Sequence, residues 1–494
     1  MRPARPRPHP LADLAALLCA PVPCPGPVSV TGVTHASGSV LPGDLYVALP
    51  GAHTHGARYA AGAVAAGAVA VLTDPAGQAL AEATGVPVMV VDQPRSVLGR
   101  VASWTYDDPT ADMTLLGVTG TNGKTTTAYL VEAGLRGAGL ATGLVGTIET
   151  RVAGQVVPSV RTTPEATDLQ AIFAVMRERG VTAAAMEVSS HALALGRVDA
   201  VRFTAAGFTN LSQDHLDFHP SMEEYFAAKA SLFDGRCEHE VVNSDDPWGR
   251  RLIRPDTVTV SADGDPRATW RAVDVSEDQG RSSFRAVGPD GVDLPVSLRI
   301  PGRFNVANAL LALAMLASVR IDLVGAADGM ADLDVPGRME QIESGQPFVA
   351  VVDYAHTPEA VTTALAALRP MTAGRLIVVL GCGGDRDRAK RPLMGRAAGQ
   401  LADLVVVTDD NPRSEDPATI RAAMIEGVRQ TGDTRWVEVG DRREAVALAV
   451  RQARPGDTVL VAGKGHEPGQ EVGGVVHPFD DRAVLREAIE SVVV

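Results

Sequence analysis

The feature that most constrains the fold of this chain is a glycine-rich stretch at residues 117–126, which reads GVTGTNGKTT. The apolar run from Met113 to Val118 predicts a buried strand, and apolar residues at positions 128, 130, 131 and 135 fall at helical spacing. Strand, glycine loop and helix in this order are typical of a phosphate-binding loop, in which backbone N–H groups face a phosphate chain at the positive end of the helix. The stretch therefore predicts a nucleoside triphosphate site.

Two side chains of this loop suit that chemistry. Lys124 can reach the β and γ phosphate oxygens, and Thr125 offers a hydroxyl to Mg²⁺. The spacing departs from G-x-x-x-x-G-K-[ST] by one residue, because Val118 stands five before Gly123 and the first glycine is Gly117. A glycine-rich turn that merely begins a helix is the alternative, and the complete strand, loop and helix context argues against it. The predicted triphosphate-binding residues are Gly120, Thr121, Asn122, Gly123, Lys124, Thr125 and Thr126.

Length and composition bound the rest of the molecule. A chain of 494 residues suggests about three domains, and 45% hydrophobic with 21% charged residues is typical of a soluble globular protein. The net charge of −14 argues against a nucleic-acid partner and against general affinity for anionic membranes. No apolar run reaches the roughly 20 residues that a membrane-spanning helix needs, so we expect no membrane insertion.

The cysteines and the N-terminal stretch bear on the compartment. The cysteines lie in unrelated contexts, without paired metal spacing or a disulfide framework, which fits a reducing cytoplasm. They are Cys19, Cys24, Cys237 and Cys382. The apolar stretch at residues 11–20 resembles a short signal sequence, but Asp13 interrupts it and no clean cleavage site follows. We therefore expect a cytoplasmic protein.

Strand and helix patterns divide the chain into three α/β segments. Residues 1–109 alternate strand-like runs at 44–49, 68–72 and 86–91 with an alanine-rich helix at 57–66, and a turn at 107–110 ends this domain. Residues 110–335 hold the phosphate loop, strands at 183–188 and 203–210 and a helix at 222–233, which predicts a central, mostly parallel sheet. Residues 336–494 carry strands at 348–352, 376–380, 404–408 and 459–462 between helical patterns, which predicts a Rossmann-like, doubly wound domain.

Polar residues follow two strands of the central domain. Glu187 closes one strand and His215 lies in the segment after another, which suggests a metal ion and its phosphates beside the loop. A helix cap and a loop hydrogen bond are the alternative for these two residues. Tyr225 and Lys229 lie four apart on one helix face, and spacing alone predicts a solvated surface lysine there.

Charged loops follow strands of the last domain. Arg386 and Arg413 could clamp a carboxylate, Asn411 could bind an amine or a carboxylate, and Glu467 could pair with an ammonium group. Together these side chains suit a zwitterionic amino acid. Ordinary loop charges that pair with one another are the alternative.

The loop GTNGKT at residues 120–125, with its displaced first glycine, resembles that of the Mur ligase family. The resemblance covers nearly the whole chain, and the other segments that carry it are residues 34–37 and 42–46, 162–164, 187–191, 210–215, Lys229, 302–305, 353–356 and 410–413. Within the family, residues 410–413 (DNPR) are similar to the motif of ligases that add diaminopimelate to UDP-N-acetylmuramoyl-L-alanyl-D-glutamate. Three positions depart from the family pattern: Ala36 and Gly38 stand in Ala36-Ser37-Gly38 where the family has Asp-Ser-Arg, and Leu195 stands where some relatives have glutamine.

The resemblance implies an ATP-dependent ligase of the cytoplasm that works through an acyl phosphate with Mg²⁺, and we expect a monomer. The implied catalytic residues are Lys124, Lys229, His215 and Glu187, and the implied metal-site residues are Thr125, Glu187, His215 and Lys229, the last as a carbamylated lysine. Asn305 and Asp353 are the implied adenine and ribose contacts. The implied contacts to the nucleotide-dipeptide are Ser37, Thr162, Thr163, Ser189 and Arg197, and those to the amino acid are Arg386, Asp410, Asn411, Arg413, Gly463 and Glu467.

Two alternatives stay open at this point. A lysine-adding or folylpolyglutamate-type ligase would share the loop and the central site. From a different class, a P-loop switch or motor would use ATP to drive a conformational change without forming an amide, and the motif at residues 410–413 argues against it.

Overall fold

The computed structural model describes residues 1–21, 26–159, 161–278, 280–432 and 434–493. The chain forms two compact units: the first comprises Met1–Val260 with Leu311–Ala326, and the second comprises Ser261–Leu310 with Ala327–Val494. Cys19, Cys237 and Cys382 are free thiols, and Cys24 lies outside the described residues.

The N-terminal part of the first unit contains a small parallel sheet and a separate pair of strands. The strands of this part are β1 (His9–Pro10), β2 (Ser29–Val30), β3 (Gly32–Thr34), β4 (Asp44–Val47), β5 (Ala70–Thr73) and β6 (Val88–Val90), and the helices are α1 (Leu11–Leu18), α2 (Ala60–Ala65), α3 (Gln78–Glu82) and α4 (Pro94–Thr105). Strands β3 to β6 pair in sequence order and all in parallel, while β1 and β2 form a separate antiparallel pair. The predicted helix at 57–66 is a 3₁₀ turn, Gly56–Tyr59, followed by α2.

The first unit continues with a larger, mostly parallel sheet. Its strands are β7 (Thr114–Thr119), β8 (Thr142–Val145), β9 (Glu149–Val152), β10 (Gln155–Pro158), β11 (Ala183–Glu187), β12 (Phe203–Phe208), β13 (Cys237–Asn243) and β14 (Val258–Ser261), and its helices are α5 (Lys124–Gly137), α6 (Ala166–Glu178), α7 (Ser190–Ala194) and α8 (Met222–Ala230). The order is β10-β9-β8-β11-β7-β12-β13-β14, in which β9 pairs antiparallel with both β8 and β10 and the other neighbouring strands pair in parallel. Strand β7, which carries the glycine loop, therefore lies in the interior of the sheet.

The second unit contains an antiparallel meander and a second parallel sheet. Its strands are β15 (Trp270–Asp278), β16 (Arg281–Val287), β17 (Asp293–Leu298), β18 (Glu340–Gln341), β19 (Val349–Asp353), β20 (Leu376–Leu380), β21 (Leu404–Val407), β22 (Arg435–Glu438), β23 (Thr458–Ala462), β24 (Gly469–Val472) and β25 (Val475–Pro478). Helices α9 (Arg303–Ser318) and α10 (Leu323–Ala331) each contribute residues to both units, and the second unit also holds α11 (Pro358–Leu368), α12 (Lys390–Leu401), α13 (Pro417–Arg429), α14 (Arg442–Gln452) and α15 (Asp481–Val493).

The second parallel sheet has the order β18-β19-β23-β20-β21-β22, with only β18 antiparallel. Every residue of β20, β21 and β23 is buried, which is typical of parallel strands covered by helices on both faces. The loops after β19, β20, β21 and β23 leave the sheet at one edge, because parallel strands share the direction of their carboxyl ends. This edge is where residues 353–356, 381–392, 409–413 and 463–467 begin.

Candidate active site

The glycine loop joins β7 to α5 and depends on the missing side chain of Gly120. This residue has φ of 146°, and a Cβ there would lie 1.9 Å from Thr209 Oγ1 and 3.0 Å from the Asn210 carbonyl oxygen. Gly123 caps α5 in the left-handed region, with φ of 86°. The close approach of the segment after β12 therefore requires glycine at position 120.

The segment after β12 holds the loop in shape. The Asn210 side chain forms a pair of hydrogen bonds with the backbone of Asn122, accepting from its N–H at 3.0 Å and donating to its carbonyl at 3.1 Å. Thr209 Oγ1 donates to the same carbonyl at 2.6 Å. Thr121 Oγ1 accepts from the backbone N–H of Ser212 at 3.0 Å and lies 3.1 Å from the Tyr225 hydroxyl. The segment after β12 and Tyr225 of α8 therefore both contact the loop.

Thr125 and Glu187 meet at the beginning of α5. The Thr125 hydroxyl donates to Glu187 Oε2 at 2.8 Å, and the Glu187 side chain is 1% exposed. The same carboxylate accepts from the backbone N–H of Thr147 at 2.7 Å and from its hydroxyl at 3.1 Å. The Thr147 hydroxyl lies 3.0 Å from that of Thr162. A buried carboxylate with this set of donors stays fixed beside the positive end of a helix.

Lys229 is buried, not solvated as its spacing predicts. Its side chain is 1% exposed, and its Nζ donates to the Gly120 carbonyl at 2.7 Å while lying 4.6 Å from the Tyr225 ring centroid. Burial lowers the pKa of Lys229 well below its usual value, and the charge of Lys124 acts in the same direction. Lys124 Nζ itself donates to the carbonyls of Gly120 and Thr121 at 2.9 and 2.8 Å. The two lysines therefore meet at the loop.

His215 lies in a cluster of rings next to Tyr225. Its ring centroid is 4.9 Å from that of His191 and 6.1 Å from that of Tyr225, and its backbone is left-handed with φ of 53°. Partial burial lowers the pKa of His215 to about 4, although Asp214 opposes this shift, and the charges of Lys124 and Lys229 lower it further. The imidazole is therefore neutral near pH 7, and its Nε2 lies 3.5 Å from Asp214 Oδ2.

Most residues predicted to contact a nucleotide-dipeptide form hydrogen bonds or ion pairs with other protein groups, whereas Ser37 is partly exposed. Thr163 is fully buried and donates to the Glu187 carbonyl at 2.9 Å, while the Ser189 N–H donates to the Thr163 hydroxyl at 3.1 Å. Arg197 Nε lies 2.9 Å from Glu165 Oε1 in an ion pair, and its Nη1 donates to the Thr163 carbonyl. Ser37 begins a separate 3₁₀ turn, Ser37–Ser39, and is partly exposed. Thr162, Thr163, Ser189 and Glu187 are thus brought together, whereas Ser37 belongs to the small N-terminal sheet.

In the second unit, Asn411 is fixed by two charged side chains. Its Nδ2 donates to Glu467 Oε2 at 2.9 Å, and its Oδ1 accepts from Lys464 Nζ at 2.9 Å and from the Glu471 N–H at 3.0 Å. Lys464 is fully buried and also donates to Glu467 Oε2 at 3.1 Å. The loops after β21 and β23 are therefore joined by a hydrogen-bonded network of an amide, an ammonium and a carboxylate.

The two predicted arginines flank Gly383 in the same unit. A Cβ on Gly383 would lie 2.9 Å from Arg413 Nη1 and 3.9 Å from Arg386 Cγ. Arg413 has φ of 54°, donates to the Gly384 carbonyl at 2.7 Å and pairs with Glu471 at 3.2 Å, while the exposed Arg386 donates to the Asp385 carbonyl at 3.1 Å. The structure brings both guanidinium groups to one edge of the sheet.

The remaining predicted residues have their own internal partners. Asp410 is buried beside Gly463, whose added Cβ would lie 2.7 Å from Asp410 Oδ2. Asp353 accepts from the N–H groups of Met339 and Ala355, and burial raises its pKa against the opposing charge of Arg338. Asn305 is buried at the beginning of α9 and donates to the Pro301 carbonyl at 2.7 Å.

Three residues that contact predicted site residues or the loops that carry them were not predicted from the sequence. Thr147 has no motif around it, and Lys464 stands in the segment that drew attention to Glu467 without being assigned a role. Arg442 is fully buried against Asp481, 39 positions away, so no local pattern indicates it.

The metal prediction can be tested against the donors that are present. Among the described residues, no group of three or more His, Cys, Asp and Glu side chains could hold a metal ion by itself. Mg²⁺ at a phosphate site needs only one or two carboxylate ligands, because phosphates and water supply the others. The Thr125 hydroxyl and the Glu187 carboxylate, 2.8 Å apart, are oxygen donors of this kind and fit such an ion.

In the part of the chain that the structure describes, no helix is long and apolar enough to cross a bilayer.

Three family models match consecutive parts of the chain. They are described as "Mur ligase family, catalytic domain" (residues 29–106), "Mur ligase middle domain" (residues 118–316) and "Mur ligase, glutamate ligase domain" (residues 337–465). The three matched ranges follow one another along the chain without overlap.

Curated relatives and solved structures match over nearly the whole length. The UDP-N-acetylmuramoyl-L-alanyl-D-glutamate–2,6-diaminopimelate ligase of Streptomyces avermitilis is 54% identical, over 99% of this chain and 98% of that protein. The enzyme of the same name from Corynebacterium glutamicum is 52% identical, over 90% of this chain and 89% of that protein. A solved structure with this enzyme name has 34% identity and a TM-score of 0.67, over 94% of this chain and 95% of that one.

A more distant structure shares the fold alone. Mycobacterium tuberculosis folylpolyglutamate synthase, in complex with ADP, has a TM-score of 0.62 at 19% identity, over 76% of this chain and 93% of that one. The loop, the two sheets and the full-length relatives agree with the predicted family and with its three-domain α/β fold. The chain belongs to the Mur ligase family.

Proposed function

We propose that this chain is an ATP-dependent ligase that joins diaminopimelate to UDP-N-acetylmuramoyl-L-alanyl-D-glutamate in the synthesis of peptidoglycan precursors. Two relatives that carry this enzyme name match it at 54% and 52% identity, over 99% and 90% of its length. The observation that carries the amino-acid specificity is the network in which Glu467 and Lys464 fix the Asn411 amide, with Arg413 in the same loop. An ammonium group and a carboxylate of one ligand would find opposite charges there.

The first step forms an acyl phosphate in the first unit. A γ-carboxylate oxygen of the D-glutamyl residue attacks the γ-phosphorus of ATP, the bond to the bridging oxygen breaks, and ADP leaves. Two anions must meet in this step, so positive charge has to lie at the transferred group. Lys124 and the N–H groups at the beginning of α5 supply it from this chain.

The second step forms the amide. The neutral amine of diaminopimelate attacks the acyl carbon, and the tetrahedral intermediate collapses with loss of a proton from nitrogen and release of inorganic phosphate. Glu467, Asn411 and Arg413 bind and orient the amino acid, with Arg386, Asp410 and Gly463 completing its site. Exclusion of water matters here, because water would hydrolyse the acyl phosphate.

Mg²⁺ would be held by Thr125, Glu187, His215 and a carbamylated Lys229, and when bound it neutralises charge on the phosphate oxygens. Carbamylation needs an unprotonated amine, which adds to CO₂ and loses a proton. Burial and the neighbouring charge of Lys124 lower the pKa of Lys229 well below its usual value, which favours that form. The product is an anion in place of an amine beside Lys124, which suits a metal site.

The remaining assignments follow the family pattern. Thr162, Thr163, Ser189 and Arg197, together with Ser37, contact the nucleotide-dipeptide, and Asn305 and Asp353 contact the adenosine of ATP. We further propose domains at residues 1–109, 110–335 and 336–494, a monomer in solution, and a cytoplasmic location.

One assay tests the proposal. Phosphate release is measured with purified UDP-N-acetylmuramoyl-L-alanyl-D-glutamate and ATP, and with diaminopimelate, lysine or glutamate as acceptor in parallel. We expect release that depends on diaminopimelate and yields the nucleotide-tripeptide. Preference for lysine or glutamate would refute the assigned amino acid, and release that needs no acceptor amine would indicate an ATPase that forms no amide.

A further inference from the structure

The most deeply buried charged pair of the second unit lies beneath the two loops that carry the amino-acid site. Arg442 is the first residue of α14 and Asp481 is the first residue of α15. Arg442 Nε donates to Asp481 Oδ1 at 2.8 Å and Nη2 donates to Oδ2 at 2.7 Å, and both side chains are 0% exposed. This is a bidentate pair entirely out of contact with solvent.

The same guanidinium also reaches both loops. Its Nη2 donates to the carbonyl of Ala462 at 2.9 Å, and its Nη1 lies 3.5 Å from the carbonyl oxygen of Asp409. Ala462 is the last residue of β23, directly before Gly463, and Asp409 directly precedes Asp410. One side chain therefore contacts the bases of the loop after β21 and the loop after β23.

Because Gly463 and Asp410 pack near the Arg442 guanidinium, the position of the guanidinium affects the positions of the two loops. A Cβ on Gly463 would lie 2.7 Å from Asp410 Oδ2 and 3.9 Å from Arg442 Nη2, so the Gly463 backbone packs closely against the Asp410 carboxylate and lies near the guanidinium. The carboxylates of Asp481, Asp410 and Glu467 all act on Arg442 electrostatically. A shift of the guanidinium would consequently move the loops that hold Asn411 and Glu467 relative to each other.

Stability alone does not explain why a charged pair stands here. Replacing a buried ion pair by apolar residues of similar size is often neutral or stabilising, whereas removing one partner is costly. A planar guanidinium offers five donors in a fixed fork, which lets it bind one carboxylate and two carbonyls at once, and a lysine ammonium cannot reproduce that geometry.

We infer that Arg442 and Asp481 form a positioning pair, which holds the loops after β21 and β23 at the spacing that amino-acid binding requires. The inference rests on the proposed function for the identity of the amino acid, but not for the geometry. Neither residue touches the substrate in this scheme, because both act through the loops.

The test uses the double variant Arg442→Met with Asp481→Leu, which removes the pair without leaving a buried charge unpaired. Since a displacement of about 1 Å can cost on the order of 100-fold, we expect the KM for diaminopimelate to rise by about 10- to 100-fold. The KM for ATP should stay within about twofold and the melting temperature near that of the wild type, because the phosphate loop is untouched and the apolar pair packs. The double variant Arg375→Met with Asp457→Leu is the control: this ion pair, at 2.7 Å, lies at the amino ends of β20 and β23, so its removal should leave the KM for diaminopimelate unchanged.

The KM values and the melting temperature together distinguish a positioning role from no role and from a general loss of stability. An unchanged KM for diaminopimelate in the folded double variant would overturn the inference, and so would parallel losses for all three substrates together with a lowered melting temperature. If the double variant does not fold, Arg442→Lys serves instead, and a selective rise in the amino-acid KM is again the expected result. If the wild type prefers another amino acid, the proposed function fails, and the same comparison with that amino acid still tests the positioning role.

Discussion

Lys229 and Lys124 donate to the same carbonyl oxygen, that of Gly120, over 2.7 and 2.9 Å. Two ammonium groups on one acceptor would repel each other, and burial and Lys124 both lower the pKa of Lys229 accordingly. Burial and the shared acceptor both favour the unprotonated amine of Lys229 inside this loop.

From this relationship we predict that Lys229→Ala abolishes turnover, because it removes the amine that would carry the carbamate. Short carboxylates such as acetate or propionate should partly restore activity by entering the space that the side chain leaves. Steady-state phosphate release with and without added carboxylate measures both effects. Full activity in the alanine variant would contradict the assigned role, and Lys390→Ala, at a partly buried lysine of the second unit, controls for loss of any lysine.

Gly120→Ala should weaken ATP binding by at least about tenfold, because the new Cβ would overlap Thr209 Oγ1 and press on the Asn210 backbone. The control is Gly139→Ala, because Gly139 also has a positive φ, of 83°, but open space around the position. There we expect only the strain of a left-handed alanine, about 1–2 kcal/mol in unfolding free energy, and normal ATP affinity. Isothermal titration calorimetry with ATP separates the two. Equal affinities in both variants would refute the steric argument.

Arg413→Ala should raise the KM for diaminopimelate by about tenfold or more while changing the KM for ATP far less, since a charged hydrogen bond to a carboxylate contributes about 1.5–3 kcal/mol. Arg388→Ala is the matched control, because Arg388 lies in the loop after β20 but is 76% exposed and pairs with Glu415. Steady-state kinetics with each substrate varied in turn provide the measurement. Similar increases in both KM values for Arg413→Ala would argue against a carboxylate clamp.

The pH dependence of stability should carry a contribution from His466. Burial, followed by the charges of Arg338 and Arg482, lowers the pKa of His466 to about 3, against about 6.5 in an unfolded chain. Between these values the unfolded chain binds the proton and the folded chain does not. The contribution is therefore complete above about pH 6.5 and is lost progressively as the pH falls towards 3.

His466→Gln removes that proton uptake, so the variant should lose less unfolding free energy than the wild type between pH 7 and pH 5. The difference in slope is at most about 1.4 kcal/mol per pH unit. Denaturant unfolding at several pH values measures it, with His477→Gln as the control at an exposed position on β25. Identical slopes in the wild type and His466→Gln would show that the imidazole is not desolvated.

The fold could be predicted from local sequence patterns where the buried residues of an element are also apolar. The strand before the glycine loop, the helix after it and the fully buried strand β20 all follow from apolar runs and their spacing. The meander of β15 to β17 was not predicted, and β16 illustrates why. Its buried positions are Ser282, Phe284 and Ala286, so the alternation that places it in a sheet is barely visible in hydropathy.

Only those parts of the site that belong to short local motifs could be predicted from the sequence. The family predicted from the loop is confirmed by the full-length relatives, whereas the residue assignments stay predictions. Helical spacing places Lys229 on the buried face with Tyr225, yet a lysine counts as polar in any periodicity argument, so its burial could not be foreseen. Arg442 and Asp481 meet through tertiary packing of two helices, which no local motif records.

The sequence holds only four lysines, at positions 124, 229, 390 and 464, and the structure buries Lys229 and Lys464 completely. Arginine supplies nearly all the other positive charge. Lysine-selective isotope labelling would therefore give a spectrum of four resonances, two of which come from amines enclosed at the phosphate loop and at the Asn411 network. A carbamate on Lys229 could be followed in such a spectrum directly, in the intact enzyme and without substrate.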